Sequence, residues 1–452
     1  MNTPICDFVR AYVKSAPLRL HMPGHKGVGP IGCEALDITE IPGADVLYAP
    51  EGVILESEKN AASIFGSART VYSTEGSSLC IRAMLYLAQL YAKLQRRRPL
   101  VLAGRNAHKT FLSAAALLDL DVDWLFSETC GQGVVSCAVS AGALEKRLAA
   151  YAEKPVAVYI TSPDYLGNLA DLSALAAVCH RHGTLLLVDG AHGAYLKFMS
   201  PSLHPLDLGA DLCCDSAHKT LPVLTGGAYL HISKSAPQSL CAAADRAMSL
   251  FASTSPSYLI LQSLDAVNPL LTQGFSDNVM LTYRCLEELR GALRGEGWET
   301  AGSEPLKLTL CPKSRGYTGA EVAERLMRHD VYCEFADSDY IVFMFTNRIV
   351  AAANTTLHAA LRELVPRAPV ASAVPILCNP VRVLSPRRAM LAPSQPLPVE
   401  RSLGRVLASP CVSCPPAVPI LVCGERIDKS AVEAFRYYGV EQVEVVLESE
   451  VD

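Results

Sequence analysis

From residue 70 onward, short apolar segments rich in β-branched residues alternate with longer segments of helical period. The strand-like segments are 71–73, 100–102, 122–126, 156–160, 185–188, 212–214 and 228–232. Helical period marks 78–95, 107–119, 141–153 and 171–182, and the last of these has Asp171 at its N-cap and Gly183 just past its end. Several strands are nearly unbroken apolar runs, which is typical of a mostly parallel sheet with helices on both faces. The pattern predicts an α/β fold with seven strands.

The periodicity changes at both ends of this α/β region. Residues 1–60 show no strong period, residues 256–295 are helical, and a mixed region follows with strands at 306–310 and 340–345 and a helix at 318–329. The segments 212–214 and 228–232 are too close for a helical crossover, so we expect a hairpin or an antiparallel pair. We therefore predict an N-terminal segment (1–60), a large α/β domain (61–295) and a smaller C-terminal α+β domain (296–452).

Composition narrows the possible functions. Lys and Arg number 40 against 45 Asp and Glu, so no basic excess favours nucleic acid as a partner. A mean hydropathy of +0.22 without a membrane-length apolar run predicts a large core or a subunit interface. The N-terminus lacks the pattern of a signal peptide, so we expect a cytoplasmic protein with reduced cysteines. Cys411 and Cys414 have the spacing of one half of a zinc site. No second pair or histidine partner follows them, and we predict no metal.

Polar residues follow the predicted strands, where ligands of such sheets bind. Gly76, Ser77 and Ser78 open a helix after the first strand, and a helix N-terminus favours an anion. Asp189 and Lys219 follow two other strands. Pyridoxal 5′-phosphate (PLP) needs a lysine amine for its Schiff base and a carboxylate at its ring nitrogen. Each residue alone would be an ordinary surface or capping group, but together they predict a PLP site, with His108 available to stack on the ring.

The chain resembles the bacterial Orn/Lys/Arg decarboxylases, which are PLP enzymes of the aspartate-aminotransferase fold (fold type I). The matching stretches are HMPGHKG at 21–27, DITEIPGADVLYAPEGVI at 37–54, RNAHK at 105–109, TSPDYLGNLADL at 161–172, VDGAHGAYLKF at 188–198, DSAHKTLPVLTGG at 215–227, STSPSYLILQSLD at 253–265 and CPPAVPILVCGE at 414–425. They span almost the whole chain. The resemblance implies decarboxylation of arginine, lysine or ornithine to an amine and CO₂.

The resemblance also implies roles for individual residues. Lys219 would form the Schiff base, Asp189 would contact the pyridine nitrogen, and His108 and Ala191 would cover the two faces of the ring. Cofactor binding would further involve Gly76, Ser77, Ser78, His192, Ser216 and His218, of which His218 also belongs to the catalytic set. Thr254 would reach the phosphate of a neighbouring subunit, which implies a homodimer or higher oligomer with composite sites. The acidic Glu334 and Asp337 would face the cationic end of the substrate.

Two positions depart from the family pattern, and they leave the substrate open. Glu75 stands where the family commonly has Asn, and Gly190 stands where it often has Glu. Arginine is slightly favoured, because a guanidinium can use two acceptors at once. One alternative is another fold type I activity, such as an aminotransferase or lyase, and another is a non-catalytic binding protein of this fold. A Rossmann-type dehydrogenase is disfavoured because no Gly-x-Gly-x-x-Gly turn follows the first strand.

Overall fold

A seven-stranded sheet forms the centre of the protein in a computed structural model that describes residues 1–127, 137–346, 350–371, 374–375, 379–413 and 418–451. Its strands are β1 (Arg69–Ser73), β2 (Leu100–Gly104), β3 (Asp121–Leu125), β4 (Ala157–Thr161), β5 (Leu185–Asp189), β6 (Leu212–Asp215) and β7 (Ala228–Ile232). Their order is β1-β7-β6-β5-β4-β2-β3. Strands β6, β5, β4, β2 and β3 run parallel, whereas β7 is antiparallel to both β6 and β1. The predicted mostly parallel sheet and the antiparallel β6–β7 pair are thus confirmed.

Helices cover both faces of this sheet. In chain order they are α1 (Pro4–Lys14), α2 (Val53–Phe65), α3 (Gly76–Leu94), α4 (Lys109–Leu118), α5 (Ala141–Ala149), α6 (Leu172–Arg181), α7 (Ala217–Thr220), α8 (Gln238–Ser249), α9 (Tyr258–Leu271) and α10 (Phe275–Gly295). Val101, Tyr159 and Leu187 pack with α3 and α4, while the alternate residues Val158 and Leu186 pack with α5 and α6. Both sides of each strand are therefore buried, which explains the unbroken apolar runs. None of the helices in the described ranges is long and apolar enough to cross a membrane.

The N-terminal segment contains regular structure that its pattern only weakly indicates. Helix α1 starts with Pro4, a residue suited to the first helical turn, and it buries Ile5 and Val9 against α2 and α9. Asp45 closes the loop before α2, because its carboxylate accepts hydrogen bonds from the amides of Gly52 and Ile54 at 2.8 and 3.0 Å. Through α2 this segment packs against β1 at the edge of the sheet and against α9.

Two further hydrophobic clusters follow α10. The first surrounds a four-stranded antiparallel sheet of order β10-β11-β9-β8. Its strands are β8 (Glu299–Ala301), β9 (Lys307–Cys311), β10 (Phe335–Ala336) and β11 (Ile341–Met344), and the helices of this cluster are α11 (Gly319–Met327) and α12 (Val350–Arg362). The second lies between β12 (Ser394–Pro398), β14 (Pro419–Val422), α14 (Lys429–Tyr437) and β15 (Gln442–Val446). Strand β13 (Cys411–Ser413) pairs with β14, and α13 (Pro386–Leu391) packs against α4 in the hydrophobic cluster of the central sheet. Cys414 of the Cys411/Cys414 pair lies outside the described residues. The division of the chain into three domains stays a prediction.

An ion pair ties the C-terminal part of the chain to the end of β2. Arg105 donates two hydrogen bonds to the carboxylate of Glu425, at 2.6 and 2.7 Å, and both side chains are buried. The guanidinium also lies 5.2 Å from the ring centroid of Trp124. A bidentate pair compensates much of the desolvation cost of two buried charges, and removing one partner would leave the other uncompensated. Arg105 precedes His108 by one short turn, so this ion pair also anchors the loop that carries His108.

Candidate active site

A cavity of about 420 Å³ opens at the carboxyl ends of the parallel strands. Ten of the residues predicted to bind the cofactor line it: Gly76, Ser77, Ser78, His108, Asp189, Ala191, His192, Ser216, His218 and Lys219. They come from separate stretches of the sequence, and the parallel strands bring them to one edge of the sheet. Thr254, Glu334 and Asp337 are the predicted site residues that do not line this cavity.

Asp189 forms the buried acidic end of the cavity. It is the last residue of β5 and only 2% exposed. Its carboxylate accepts hydrogen bonds from the Tyr159 hydroxyl at 3.0 Å and from the Ala191 amide at 3.2 Å. Within the described ranges, no Lys, Arg or His forms an ion pair with it. A buried carboxylate without a cationic partner fits the N–H⁺ of a pyridinium ring.

Lys219 projects from α7 into the same cavity. Its Nζ lies 3.1 Å from Nε2 of His192. Protein atoms surround much of the side chain, although water reaches it through the open cavity. This partial burial lowers the pKa of the ammonium from its usual value, and the nearby Asp189 raises it less. Burial and the nearby Lys307 and Lys219 hold the pKa of His192 well below its usual range. A neutral imidazole next to a lysine of lowered pKa favours the free amine that a carbonyl group requires.

His108 presents a neutral ring to the cavity. It is the N-cap of α4, and its Nδ1 accepts a hydrogen bond from the Thr110 amide at 3.2 Å. Burial in the cavity wall lowers the pKa of the imidazole, and nearby Asp189 raises it less. A neutral aromatic ring is suited to stacking on a heterocycle.

The start of α3 forms the polar end of the cavity. Gly76 has φ +71°, a conformation that favours glycine, and its amide donates to the Gly226 carbonyl at 2.7 Å. Ser77 then begins the first turn of a 19-residue helix, and its hydroxyl accepts from the Ser216 hydroxyl at 2.8 Å. Free amides at a helix N-terminus together with two serine hydroxyls fit a phosphate. The residues at both ends of the cavity are thus compatible with PLP.

Both departures from the family pattern have a structural explanation. One carboxylate oxygen of Glu75 accepts a hydrogen bond from the Ser253 amide at 2.8 Å, which ties the turn before α3 to the segment at 253–257. A Cβ atom at Gly190 would lie 2.9 Å from Oδ1 of Asp215 and 3.2 Å from the carbonyl oxygen of Cys214. A side chain would therefore force this loop to move.

The three remaining predicted residues lie outside the cavity. Thr254 is exposed in the loop before α9. The carboxylate of Asp337 accepts hydrogen bonds from the amides of Asp339 and Tyr340, both at 2.6 Å, in the turn between β10 and β11. Burial raises the pKa of Asp337 to about 6. Glu334 lines a second cavity of about 400 Å³. The structure thus places Asp337 in a turn, whereas Glu334 lies next to the loop that follows β4, where it accepts a hydrogen bond from the Tyr165 hydroxyl at 2.8 Å.

Sequence reasoning missed Tyr159 and Tyr165. Tyr159 lies within β4, and its hydroxyl binds Asp189, whereas Tyr165 follows the same strand and lines the Lys219 cavity. Tyr165 was indicated only by its place after a strand end, in the stretch TSPDYLG at 161–167. Tyr159 gave no signal, because an aromatic residue in a strand is usually a packing residue.

A buried cluster of His204, Asp215 and His231 lies behind the Lys219 loop, and it is the one group in the described ranges whose side chains could together hold a metal ion. The Nε2 atoms of the histidines lie 2.9 and 3.3 Å from Oδ2 of Asp215. These distances are typical of hydrogen bonds and ion pairs. Although burial raises it, the pKa of Asp215 is held at about 2 by the two imidazoles, so this carboxylate carries its charge inside the core.

Comparison with known proteins identifies the family of this chain. Residues 3–294 match the family described as Orn/Lys/Arg decarboxylase, major domain. An arginine decarboxylase of Halalkalibacterium halodurans is 29% identical over 96% of this chain and 93% of its own length. A lysine decarboxylase A from Pseudomonas aeruginosa superposes with a TM-score of 0.81 at 17% identity, over 98% of this chain and 80% of that chain. The constitutive lysine decarboxylase of E. coli gives a TM-score of 0.77 at 18% identity, over 99% and 82%.

Proposed function

The chain belongs to the Orn/Lys/Arg decarboxylase family, and from this premise we propose that it converts a basic amino acid, arginine in preference to lysine or ornithine, to the corresponding amine and CO₂. As a member of this family it is a PLP-dependent amino-acid decarboxylase of fold type I. The observation that carries the proposal is the cavity in which the buried Asp189 and the amine of Lys219 occur together.

Residues of this cavity would hold PLP at each of its polar groups. The amides that begin α3, with Ser77 and Ser216, would bind the phosphate. Asp189 would accept a hydrogen bond from the protonated ring nitrogen, while Lys219 would bind the aldehyde carbon. When bound, PLP supplies an electron-withdrawing ring that accepts the electron pair left at Cα as CO₂ departs.

Lys219 would transfer a proton in the reaction, and His192 would position its amine. When not bonded to the cofactor, the Lys219 amine would be able to carry a proton, and its contact with His192 would hold it at one side of the cavity. From there Lys219 would return a proton to Cα. Tyr159 would keep the Asp189 carboxylate in place through the hydrogen bond to Oδ2.

Product analysis tests the activity and its alternative. The purified holoenzyme is incubated separately with arginine, lysine and ornithine, and the amine and CO₂ are quantified. We expect equal amounts of amine and CO₂, with the highest kcat/KM for arginine. Formation of a keto acid instead would favour an aminotransferase on the same scaffold and would overturn the decarboxylase proposal.

Glu334 is our candidate for recognising the substrate cation, because it binds the hydroxyl of Tyr165, a residue that lines the Lys219 cavity. Glu334→Gln removes the charge of the carboxylate, and losing a charge-assisted hydrogen bond of ~1.5–3 kcal/mol should lower kcat/KM for the preferred substrate roughly 10–150-fold. Lysine and its neutral analogue norleucine, with arginine, form the assay set. Unchanged discrimination between charged and neutral substrates would remove Glu334 from the site.

A homodimer with composite active sites is also part of the proposal. Four apolar side chains of the N-terminal segment, Leu18, Leu20, Val28 and Ile31, are between 82% and 84% exposed. Apolar side chains that would be unfavourable in water are typical of subunit interfaces. The exposed Thr254 would then contact the phosphate of the neighbouring subunit.

Mixing two inactive variants tests this arrangement. Lys219→Ala and Thr254→Glu proteins, each nearly inactive, should recover about a quarter of the wild-type activity when dissociated and reassociated together, since half of the dimers are mixed and each has one intact site. Activity and sedimentation are measured on the mixture and on each variant alone. A fully active monomer, or mixed dimers without recovery, would contradict composite sites.

A further inference from the structure

Tyr165 stands between the cavity that contains Lys219 and the acidic side chain of Glu334. The ring of Tyr165 lines the first cavity, whereas Glu334 lines the second, with Cys333 and Phe343. The Tyr165 hydroxyl donates a hydrogen bond to Oε1 of Glu334 at 2.8 Å. A group that extends from Lys219 towards Glu334 therefore meets Tyr165 at the cavity wall.

Two aromatic contacts fix the ring of Tyr165. Its centroid lies 5.2 Å from that of His192 at an interplanar angle of 70°, and 5.6 Å from that of Phe335 at 90°. Both are edge-to-face arrangements, which are favourable for aromatic pairs. His192 belongs to the Lys219 cavity and Phe335 follows Glu334 in the chain, so the ring is packed against both sides of the junction.

The loop that carries Tyr165 is bound to β9. Nζ of Lys307 donates to the Asp164 carbonyl at 3.1 Å, and the Thr309 hydroxyl donates to the Leu166 carbonyl at 2.8 Å. Lys307 is itself buried and forms an ion pair with Glu304 at 2.7 Å. The residues on either side of Tyr165 are therefore held to the strand that pairs with β11, next to β10 and Glu334.

The chemistry of this pair suits a cation. Burial and the Glu334 charge raise the pKa of the Tyr165 phenol, so the group remains a donor to the carboxylate. A hydroxyl that donates to a carboxylate keeps its own oxygen lone pairs as acceptors, and the carboxylate keeps a second oxygen. Guanidinium and ammonium groups offer only donors, and they can bind to both oxygens at once. A neutral alkyl side chain would gain neither contact.

We propose that Tyr165 is a specificity-determining residue, whose hydroxyl orients Glu334 and joins it in binding the cationic end of the substrate. This inference rests on the proposed function. It predicts that Tyr165 affects the binding of the cation and leaves the chemistry at Cα unchanged.

Tyr165→Phe tests the inference because it removes one oxygen and retains the ring packing. We expect the ratio of kcat/KM for arginine to that for its neutral analogue citrulline to fall about tenfold, mainly through the KM for arginine. Calorimetry gives a readout apart from turnover: Kd for agmatine, the decarboxylated form of arginine, should rise about tenfold, with pentylamine unaffected. Tyr151→Phe is the matched control, since Tyr151 also donates to a carboxylate, that of Asp123, away from the cavity.

A double variant separates orientation from a merely structural effect. If Tyr165 acts with Glu334, the variant that combines Tyr165→Phe with Glu334→Gln should lower the ratio by less than the product of the two single effects, whereas independent effects would multiply. An unchanged ratio and Kd in Tyr165→Phe, or equal losses for arginine and citrulline, would overturn the inference while leaving arginine decarboxylation by the wild type intact. A wild type that forms no amine from any basic amino acid would overturn the proposed function itself, together with this inference.

Discussion

Lys219→Ala is expected to abolish the covalent link to PLP and to lower kcat by roughly three orders of magnitude or more, since it removes both the group that binds the aldehyde carbon and the proposed proton donor. The wild type should show a visible absorption band that borohydride treatment eliminates by fixing the cofactor to one peptide. In the variant, PLP should bind without covalent attachment, through the start of α3 and Asp189. Spectroscopy, peptide mapping by mass spectrometry and single-turnover kinetics measure these changes.

Lys93→Ala provides the control for that experiment. Lys93 is an exposed residue near the end of α3, far along the helix from the cavity, so its removal should leave the absorption band and kcat unchanged. A reduced adduct mapped to a lysine other than 219 would disprove the assignment. The pH dependence of the Lys219 amine also has an expected direction. Because burial lowers the pKa of Lys219, the free amine should be available at a lower pH than that of a lysine in water.

Asp189→Asn should lower kcat by about two to four orders of magnitude while the fold persists. The substitution keeps the size of the side chain and removes the charge that would hold the ring nitrogen protonated. Steady-state kinetics and the Tm from circular dichroism distinguish a loss of chemistry from a loss of structure. Asp171→Asn is the matched control, because Asp171 caps α6 through the Ala174 amide and Asn caps helices equally well. Near-normal turnover in Asp189→Asn would contradict the proposed role of the carboxylate.

The sheet was predictable because several of its strands, such as β4 and β5, are short apolar runs that end at a polar residue. Leu185–Asp189 is such a run, and its last residue lies where the pattern predicts a ligand-binding edge. Helix α1 was less accessible to prediction, because its buried residues Ile5 and Val9 gain their burial from α2 and α9. The pattern of a short helix at the chain end does not reveal a partner such as α9, which lies more than 200 residues away.

For the site, too, the residues marked by local motifs were predictable, whereas contacts between distant residues were not. The residues at strand ends that line the cavity, such as Asp189 and Lys219, could be found from local motifs. Tyr165 could not be linked to Glu334, because their hydrogen bond joins residues 169 positions apart. The Gly190 substitution likewise gained its explanation only from the nearby Asp215 carboxylate and Cys214 carbonyl. Which side chains from distant parts of the sequence meet, as Tyr165 and Glu334 do, depends on tertiary packing.

The Arg105–Glu425 ion pair sets an order of events during protein synthesis. The ribosome makes Arg105 long before Glu425, so the end of β2 must wait for its partner while most of the sheet is already available. Until then, burying the guanidinium would leave a charge without compensation, at a cost of several kcal/mol. In a nascent chain that ends before residue 425, we therefore expect the Arg105 guanidinium to stay in water and the loop that carries His108 to lack one of its anchors.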